Sequence, residues 1–161
     1  MLAIGAVLAI GLVLLGAWLA QAPAPVPVID QPGTAAQPRD VNVILRDFAF
    51  DPTPLYLVAG ETVRLHVFNG GMVEHEFALG DQQFQAAWAV ADANASPDTP
   101  FATVPPASVP PGTGGLRVLL ASGDSTTVEY TVPATEPLQL FCHLPGHAER
   151  GMIGRVIVLS R

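Results

Sequence analysis

Apolar and polar residues alternate with a period of two along much of the chain after residue 40. In one such run Val63, Leu65 and Val67 alternate with Arg64 and His66, which is the pattern of a strand with one buried face. Glycine, proline and aspartate turns separate the runs, as in an all-β sandwich or barrel. The predicted strands cover residues 41–46, 55–58, 62–68, 76–79, 116–120, 126–132, 138–142 and 154–159.

Two segments interrupt this pattern. Residues 82–93 are rich in alanine and glutamine and place Phe84 and Trp88 at helical spacing, so we predict a short helix with Asp81 as its cap. Residues 94–115 contain six prolines. A loop of that length is unusual in a compact domain, and we expect it to cross the surface in extended form.

The N-terminus predicts export. Residues 2–20 are apolar and carry no charge, and as a helix they would span roughly 28 Å, close to the thickness of a bilayer's hydrocarbon core. Trp18 near their end suits a membrane interface. A cleaved secretory signal is the alternative interpretation. We predict a single-pass cell-membrane protein whose remaining domain lies on the extracytoplasmic, periplasmic side.

The segment after this helix differs from the rest in composition. Residues 21–40 contain five prolines and several alanines, which is typical of an extended, semi-rigid spacer. The sequence therefore predicts three parts: a membrane anchor over 1–20, a Pro/Ala-rich linker over 21–40 and one domain over 41–161.

Charge and cysteine content narrow the function. The formal net charge is −7 and the chain contains a single cysteine, Cys142. An acidic chain is a poor nucleic-acid binder, because phosphate recognition requires a basic face. One cysteine cannot form an intramolecular disulfide or a two-cysteine redox motif. It is therefore an inert buried thiol, a nucleophile or a metal ligand.

The last third of the chain favours the metal ligand. Cys142 and His147 are separated by four residues, and so are His147 and Met152. Cys142 ends one predicted strand and Met152 precedes the next, so the loop between them can bring all three side chains to one point. His75, after a glycine turn, offers a second imidazole. Two imidazoles, a thiolate and a weak axial thioether are the donors of blue-copper sites.

On these residues the chain resembles the cupredoxins, the small type 1 blue copper proteins. The equal four-residue gaps resemble the ligand loop of auracyanin and rusticyanin, and the run from Ala59 to Asp81 is similar to exported cupredoxins associated with copper tolerance. The resemblance covers roughly residues 41–160. It implies a Greek-key β-sandwich with a short helical insertion, one Cu(I)/Cu(II) ion, and electron transfer without substrate turnover.

The other candidate ligands have simpler interpretations. We expect His66 to face solvent or a local hydrogen bond, and His143 to point away from the metal because it directly follows Cys142. Met72 is the replacement axial ligand if Met152 does not serve. Three acidic residues near the site are interpreted as solvated charges, with an acidic rim that selects a basic partner as the alternative: Glu74, Glu76 and Glu149.

Two further roles complete the predicted site. The resemblance implies that Asn69 ties the two ligand segments together. Backbone amides near Leu144 are expected to donate hydrogen bonds to the thiolate.

Two functions stay open at this stage. The first is a membrane-tethered electron carrier that exchanges single electrons with a cytochrome or a membrane oxidase or reductase. The second is copper binding for tolerance or delivery. An enzyme is not expected, because multicopper enzymes need further histidines and only His66 and His143 remain. No catalytic residue, no small-molecule substrate and no cofactor other than copper is predicted.

Overall fold

A computed structural model describes residues 25–95, 107–135 and 137–161. Within these ranges the chain forms ten strands and one helix. In chain order they are β1 (Arg39–Arg46), β2 (Ala49–Asp51), β3 (Leu55–Val58), β4 (Thr62–Asn69), β5 (His75–Gly80), α1 (Gln82–Ala95), β6 (Leu116–Leu120), β7 (Ser125–Thr131), β8 (Gln139–Phe141), β9 (Ile153–Gly154) and β10 (Val156–Leu159).

The strands form two four-stranded sheets and one two-stranded sheet. One large sheet has the order β2-β1-β4-β7 and the other has the order β6-β5-β8-β9, while β3 pairs with β10. In the first sheet β1 runs parallel to β4, and β7 is antiparallel to β4. In the second, β5 lies between β6 and β8 and is antiparallel to both. The predicted mostly-β fold with one short helix is confirmed.

The core lies between the sheets and follows from the period-two pattern. Val63, Leu65 and Val67 of β4 are fully buried and contact a cluster that includes Phe77 and Leu140 from the opposite sheet. Alternate residues of a strand point to opposite faces, so each apolar series covers one side of the core. Cys142 and Met152 belong to the same buried cluster, which places the predicted ligands at the end of the core.

Helix α1 packs against the outer face of β5 and β8. It begins after Asp81, whose Oδ1 accepts the backbone N–H of Phe84 at 2.7 Å, so the predicted cap is confirmed. Buried Gln85 donates to the carbonyls of Ala78 and Gln139. These bonds fix the helix across two strands of the second sheet.

The segment before β1 is attached to the domain by a buried carboxylate. Glu61 accepts hydrogen bonds from the N–H groups of Gly33 and Val58 and forms an ion pair with Arg39 at 2.6 Å. Thr62 N–H donates to the carbonyl of Gly33 at 3.2 Å. Strand β1 begins at Arg39, two residues before the predicted domain boundary at residue 41.

The predicted membrane anchor over residues 1–20 lies outside the described residues. Among those that are described, no helix is both long and apolar enough to cross a bilayer.

Candidate metal centre

Three of the predicted ligands converge at one end of the sandwich. His75 begins β5, Cys142 directly follows β8, and His147 lies in the loop after it. Their ligand atoms all lie within 4.8 Å of one another. His147 Nδ1 is 3.2 Å from His75 Nδ1 and 3.3 Å from Cys142 Sγ.

The backbone of the loop brings the fourth ligand to the same place. The N–H of Cys142 donates to the carbonyl of Met152 at 3.2 Å, and the N–H of Met152 donates to the carbonyl of His147 at 3.0 Å. Gly146 and Gly151 have φ angles of 80° and 100°, a left-handed conformation that glycine adopts without steric cost. The Met152 side chain is fully buried, so it completes a type 1-like site with the other three residues.

The donor set fits copper. Two imidazole nitrogens suit Cu(II), whereas the thiolate and thioether sulfurs suit Cu(I). His75, Cys142 and Met152 are fully buried and His147 is partly buried, which restricts water and fixes the donors in position. Bound copper supplies a one-electron couple at this site.

The thiol group of Cys142 is held as a hydrogen-bond acceptor. The N–H of Glu76 donates to its sulfur at 3.4 Å, and the N–H of Leu144 donates to it as well, as expected from the sequence for Leu144. Burial raises the pKa of the thiol from 9.0 to about 11 despite these bonds. Metal binding must therefore displace a proton from the sulfur.

The pKa of His147 is shifted in the opposite direction. Burial lowers it below its ordinary value, and the neighbouring His75 and Arg150 lower it further. The shift favours the neutral imidazole, which is the form that binds metal.

The other histidines and Met72 lie away from the ligand cluster. His66 contacts Asp40 at 2.8 Å and Thr127 at 3.0 Å on the outer face of β4. His143 contacts Gln85 at 2.8 Å and stacks on Phe141. Both predictions are confirmed. The side chain of Met72 is 85% exposed, so it does not replace Met152.

Glu76 corrects the sequence interpretation. Glu74 and Glu149 are exposed as expected, but Glu76 is fully buried. Its carboxylate accepts the N–H of His143 at 2.7 Å and forms an ion pair with Arg117. The prediction of a solvated charge is wrong because α1 covers the outer face of β5, and alternation along a strand does not reveal such a cover.

A second acidic group from the helix joins this buried cluster. Asp92 of α1 pairs with Arg117 at 2.8 Å, and the Arg117 guanidinium lies 4.1 Å from the centre of the Trp88 ring. Burial and the nearby Glu76 raise the pKa of Asp92, while Arg117 opposes the shift. The cluster links the helix to the strands that carry His75 and Cys142.

Asn69 has a narrower role than the resemblance implied. Its Nδ2 donates to the carbonyls of Val73 and Leu120, both at 2.8 Å, and its Oδ1 accepts the N–H of Gly71. These bonds shape the loop before His75 and attach it to β6. The bond that connects the two ligand segments is made instead by Glu76, which contacts both Cys142 and His143.

Sequence reasoning missed the two-residue turn between β1 and β2. Phe48, with a φ of 63°, places its ring edge-on to both imidazoles, with centroids 6.2 Å from His75 and 5.2 Å from His147. The Arg150 guanidinium lies 4.6 Å above the Phe48 ring. Asp47 Oδ1 accepts the N–H of Met72 at 2.8 Å and lies 3.2 Å from His75 Nε2. No local motif marks either residue, because the contact depends on the pairing of distant strands.

Two relatives of the chain are known by names that describe copper proteins. No protein-family model matches the chain. It is 36% identical over 130 residues to the copper-resistant cuproprotein CopI of Rubrivivax gelatinosus, covering 80% of this chain and 72% of that protein. It is 29% identical over 164 aligned positions to CopI of Pseudomonas aeruginosa, covering 91% of each.

Solved structures agree on the fold. Reduced auracyanin of Roseiflexus castenholzii matches 79% of this chain and 99% of its own, with a TM-score of 0.59 and 22% identity. Auracyanin B matches 82% and 93%, with a TM-score of 0.57 and 29% identity. The fold is therefore that of the cupredoxins, and copper is the metal that the four ligands bind. Together with the identity to the Rubrivivax protein, these findings show that the chain belongs to the CopI family of cuproproteins.

Proposed function

We propose that the protein serves in copper tolerance by holding one copper ion at His75, Cys142, His147 and Met152. The observation that carries this proposal is the convergence of the donor atoms of His75, Cys142 and His147 within 4.8 Å of one another. Backbone bonds attach the buried Met152 to both Cys142 and His147. The names of the two CopI relatives supply the biological setting. A preformed site of soft and borderline donors retains copper in either oxidation state.

Growth under copper stress tests this proposal. A host that lacks its own copy should regain growth at elevated copper when it expresses the chain, and Cys142→Ser should not restore growth because a hydroxyl cannot replace the thiolate. His66→Asn is the matched control, because His66 lies on the outer face of β4. Equal growth with the serine variant would contradict a role for the bound copper.

Electron transfer is the second candidate, and a specific surface favours it. The residues that flank His147 in the loop are small or apolar, so a partner can approach the imidazole edge closely; they are Leu144, Pro145, Gly146 and Ala148. Weak, small contacts are typical of redox encounters. Rapid reversible exchange with a cytochrome in stopped-flow experiments would support this function. Slow electron exchange, together with growth that depends on the copper ligands, would support copper tolerance as the only one of the two functions.

The remaining parts of the proposal concern location and partners. We expect residues 2–20 to hold the domain at the outer face of the cell membrane, close to oxidases or reductases, with no nucleic acid and no small-molecule substrate bound. The intact chain should fractionate with membranes after a high-salt wash. A soluble mature form that begins after residue 20 would show a cleaved signal instead.

A further inference from the structure

The carboxylate of Asp47 is the group that faces the far nitrogen of the ligand His75. We propose that Asp47 is a positioning residue for the copper site, which holds the His75 ring with its proton on Nε2 and its lone pair on Nδ1, and that Gly71 keeps the space this contact needs. The inference rests on copper binding at the four ligands described above.

The tautomer follows from the chemistry of the two partners. Asp47 Oδ1 lies 3.2 Å from His75 Nε2, and an ionised carboxylate can only accept a hydrogen bond. Nε2 must therefore carry the hydrogen. The lone pair is left on Nδ1, the nitrogen that faces His147 Nδ1 at 3.2 Å and belongs to the ligand cluster.

A backbone hydrogen bond also holds the Asp47 carboxylate in place. The same Oδ1 accepts the N–H of Met72 at 2.8 Å. This bond connects the turn that carries Asp47 to the loop that carries Met72. The carboxylate of Asp47 is therefore held in place beside an imidazole ligand. Partners of this kind orient ligand histidines and raise their basicity.

Gly71 supplies the second, independent observation. A Cβ on this residue would lie 2.5 Å from His75 Nε2 and 2.6 Å from Asp47 Oδ1. It would therefore enter the space between the two partners and force them apart. The neighbouring Gly70 does not show this crowding, since a Cβ there would meet Phe68 and Ile44 at 3.2 and 3.3 Å.

Two substitutions separate orientation from charge. Asp47→Asn keeps an oxygen that accepts from Met72 and His75 but removes the negative charge, whereas Asp47→Ala removes both. We expect Asp47→Ala to lower Cu(II) affinity about 10- to 100-fold. In this variant the hydrogen of the neutral His75 ring should no longer be confined to Nε2. We expect Asp47→Asn to keep the tautomer and most of the affinity but to raise the reduction potential, because a nearby negative charge stabilises Cu(II) more than Cu(I).

Matched control variants test whether the position and the charge of Asp47 matter for copper binding. Asp51→Asn removes the same charge from the same hairpin, but Asp51 pairs with Arg46 on the surface, so the potential should change less than in Asp47→Asn. Gly71→Ala should reproduce the loss of Asp47→Ala without changing any charge, and Gly70→Ala should bind copper like the unchanged protein.

The measurements include one that needs no copper. Long-range ¹H–¹⁵N spectra of the metal-free protein report which nitrogen of His75 carries hydrogen. Competition with chelators gives Cu(II) and Cu(I) affinities, and redox titration gives the potential. Failure of the unchanged protein to bind copper would contradict the copper site itself. A neutral His75 ring with its hydrogen on Nδ1 and none on Nε2 in the unchanged metal-free protein would overturn the role of Asp47, and so would unchanged Cu(II) affinity in both Asp47→Ala and Gly71→Ala. Equal shifts of the reduction potential in Asp47→Asn and Asp51→Asn would overturn the proposed effect of the Asp47 charge.

Discussion

Glu76 contacts the ligand Cys142 and its neighbour through two different groups. Its backbone N–H donates to the Cys142 sulfur, while its buried carboxylate accepts the N–H of His143. One residue thus fixes both the sulfur and the peptide that follows it. Because Arg117 of β6 pairs with the same carboxylate, the geometry at the sulfur depends on a salt bridge outside the metal site.

Glu76→Gln is expected to destabilise the fold and perturb the copper site together. Among the described residues, Arg117 then keeps only Asp92 as a charged partner, and the loss of one partner from a buried hydrogen-bonded group costs about 1–3 kcal/mol in unfolding free energy. The visible thiolate-to-copper band should shift, because the bond to the Cys142–His143 segment weakens. Urea unfolding and the visible spectrum measure both effects. Glu74→Gln, at an exposed position, should change neither, and an equal change there would contradict this role.

The metal-free protein is expected to lose stability at alkaline pH. Burial raises the pKa of the Cys142 thiol from 9.0 to about 11, so the folded state holds the proton more tightly than the unfolded chain. This contribution is complete below pH 9 and is lost as the pH rises toward 11. The loss amounts to about 2–3 kcal/mol. Urea unfolding at successive pH values measures it, and Cys142→Ala should lack this slope.

Met152→Leu is expected to keep copper and colour but to raise the reduction potential. The thioether donates weakly to the metal, so the other three ligands retain most of the binding. An apolar leucine in this buried position disfavours the more highly charged Cu(II). Redox titration measures the shift. Met72→Leu is the control, because Met72 is exposed; a shift confined to Met72→Leu would move the axial ligand to that position.

Phe48 is expected to limit copper exchange at the cost of local strain. A bulky residue in the left-handed region costs about 1–2 kcal/mol, and the ring lies in T-shaped contact with both imidazoles. Phe48→Ala and Phe48→Gly should both speed copper release to a chelator. Only glycine also relieves the strain, so Phe48→Gly should be more stable than Phe48→Ala by about 1 kcal/mol. Unchanged rates of copper release would show that the Phe48 ring does not limit copper exchange.

Local patterns were sufficient to predict most of the fold and the convergence of His75, Cys142 and His147. Strands such as β4 have one apolar face, which alternation reveals directly, and helix α1 starts at a cap that is adjacent in sequence. The ligands Cys142, His147 and Met152 lie within one loop, where spacing alone limits the geometry.

The contacts around the ligands could not be predicted in the same way. Asp47 reaches His75 because β1 pairs with β4 and the turn after β1 therefore ends beside the loop after β4. Glu76 is buried because α1 covers a strand face that would otherwise contact water. Both depend on elements far apart in the chain, and neither Asp47 nor Glu76 has a local pattern that distinguishes it from a surface carboxylate.

Gly33 is attached to Glu61 and Thr62 far from the metal ligands. Thr62 begins β4 and Asn69, which shapes the loop before His75, ends it. At about 3.3 Å per residue, the seven steps between them separate the two ends by roughly 23 Å. Gly33 is therefore attached at the end of the domain opposite the ligand loops. A copper donor or redox partner can therefore approach the ligand loops without contacting Gly33 or the strand end that holds it.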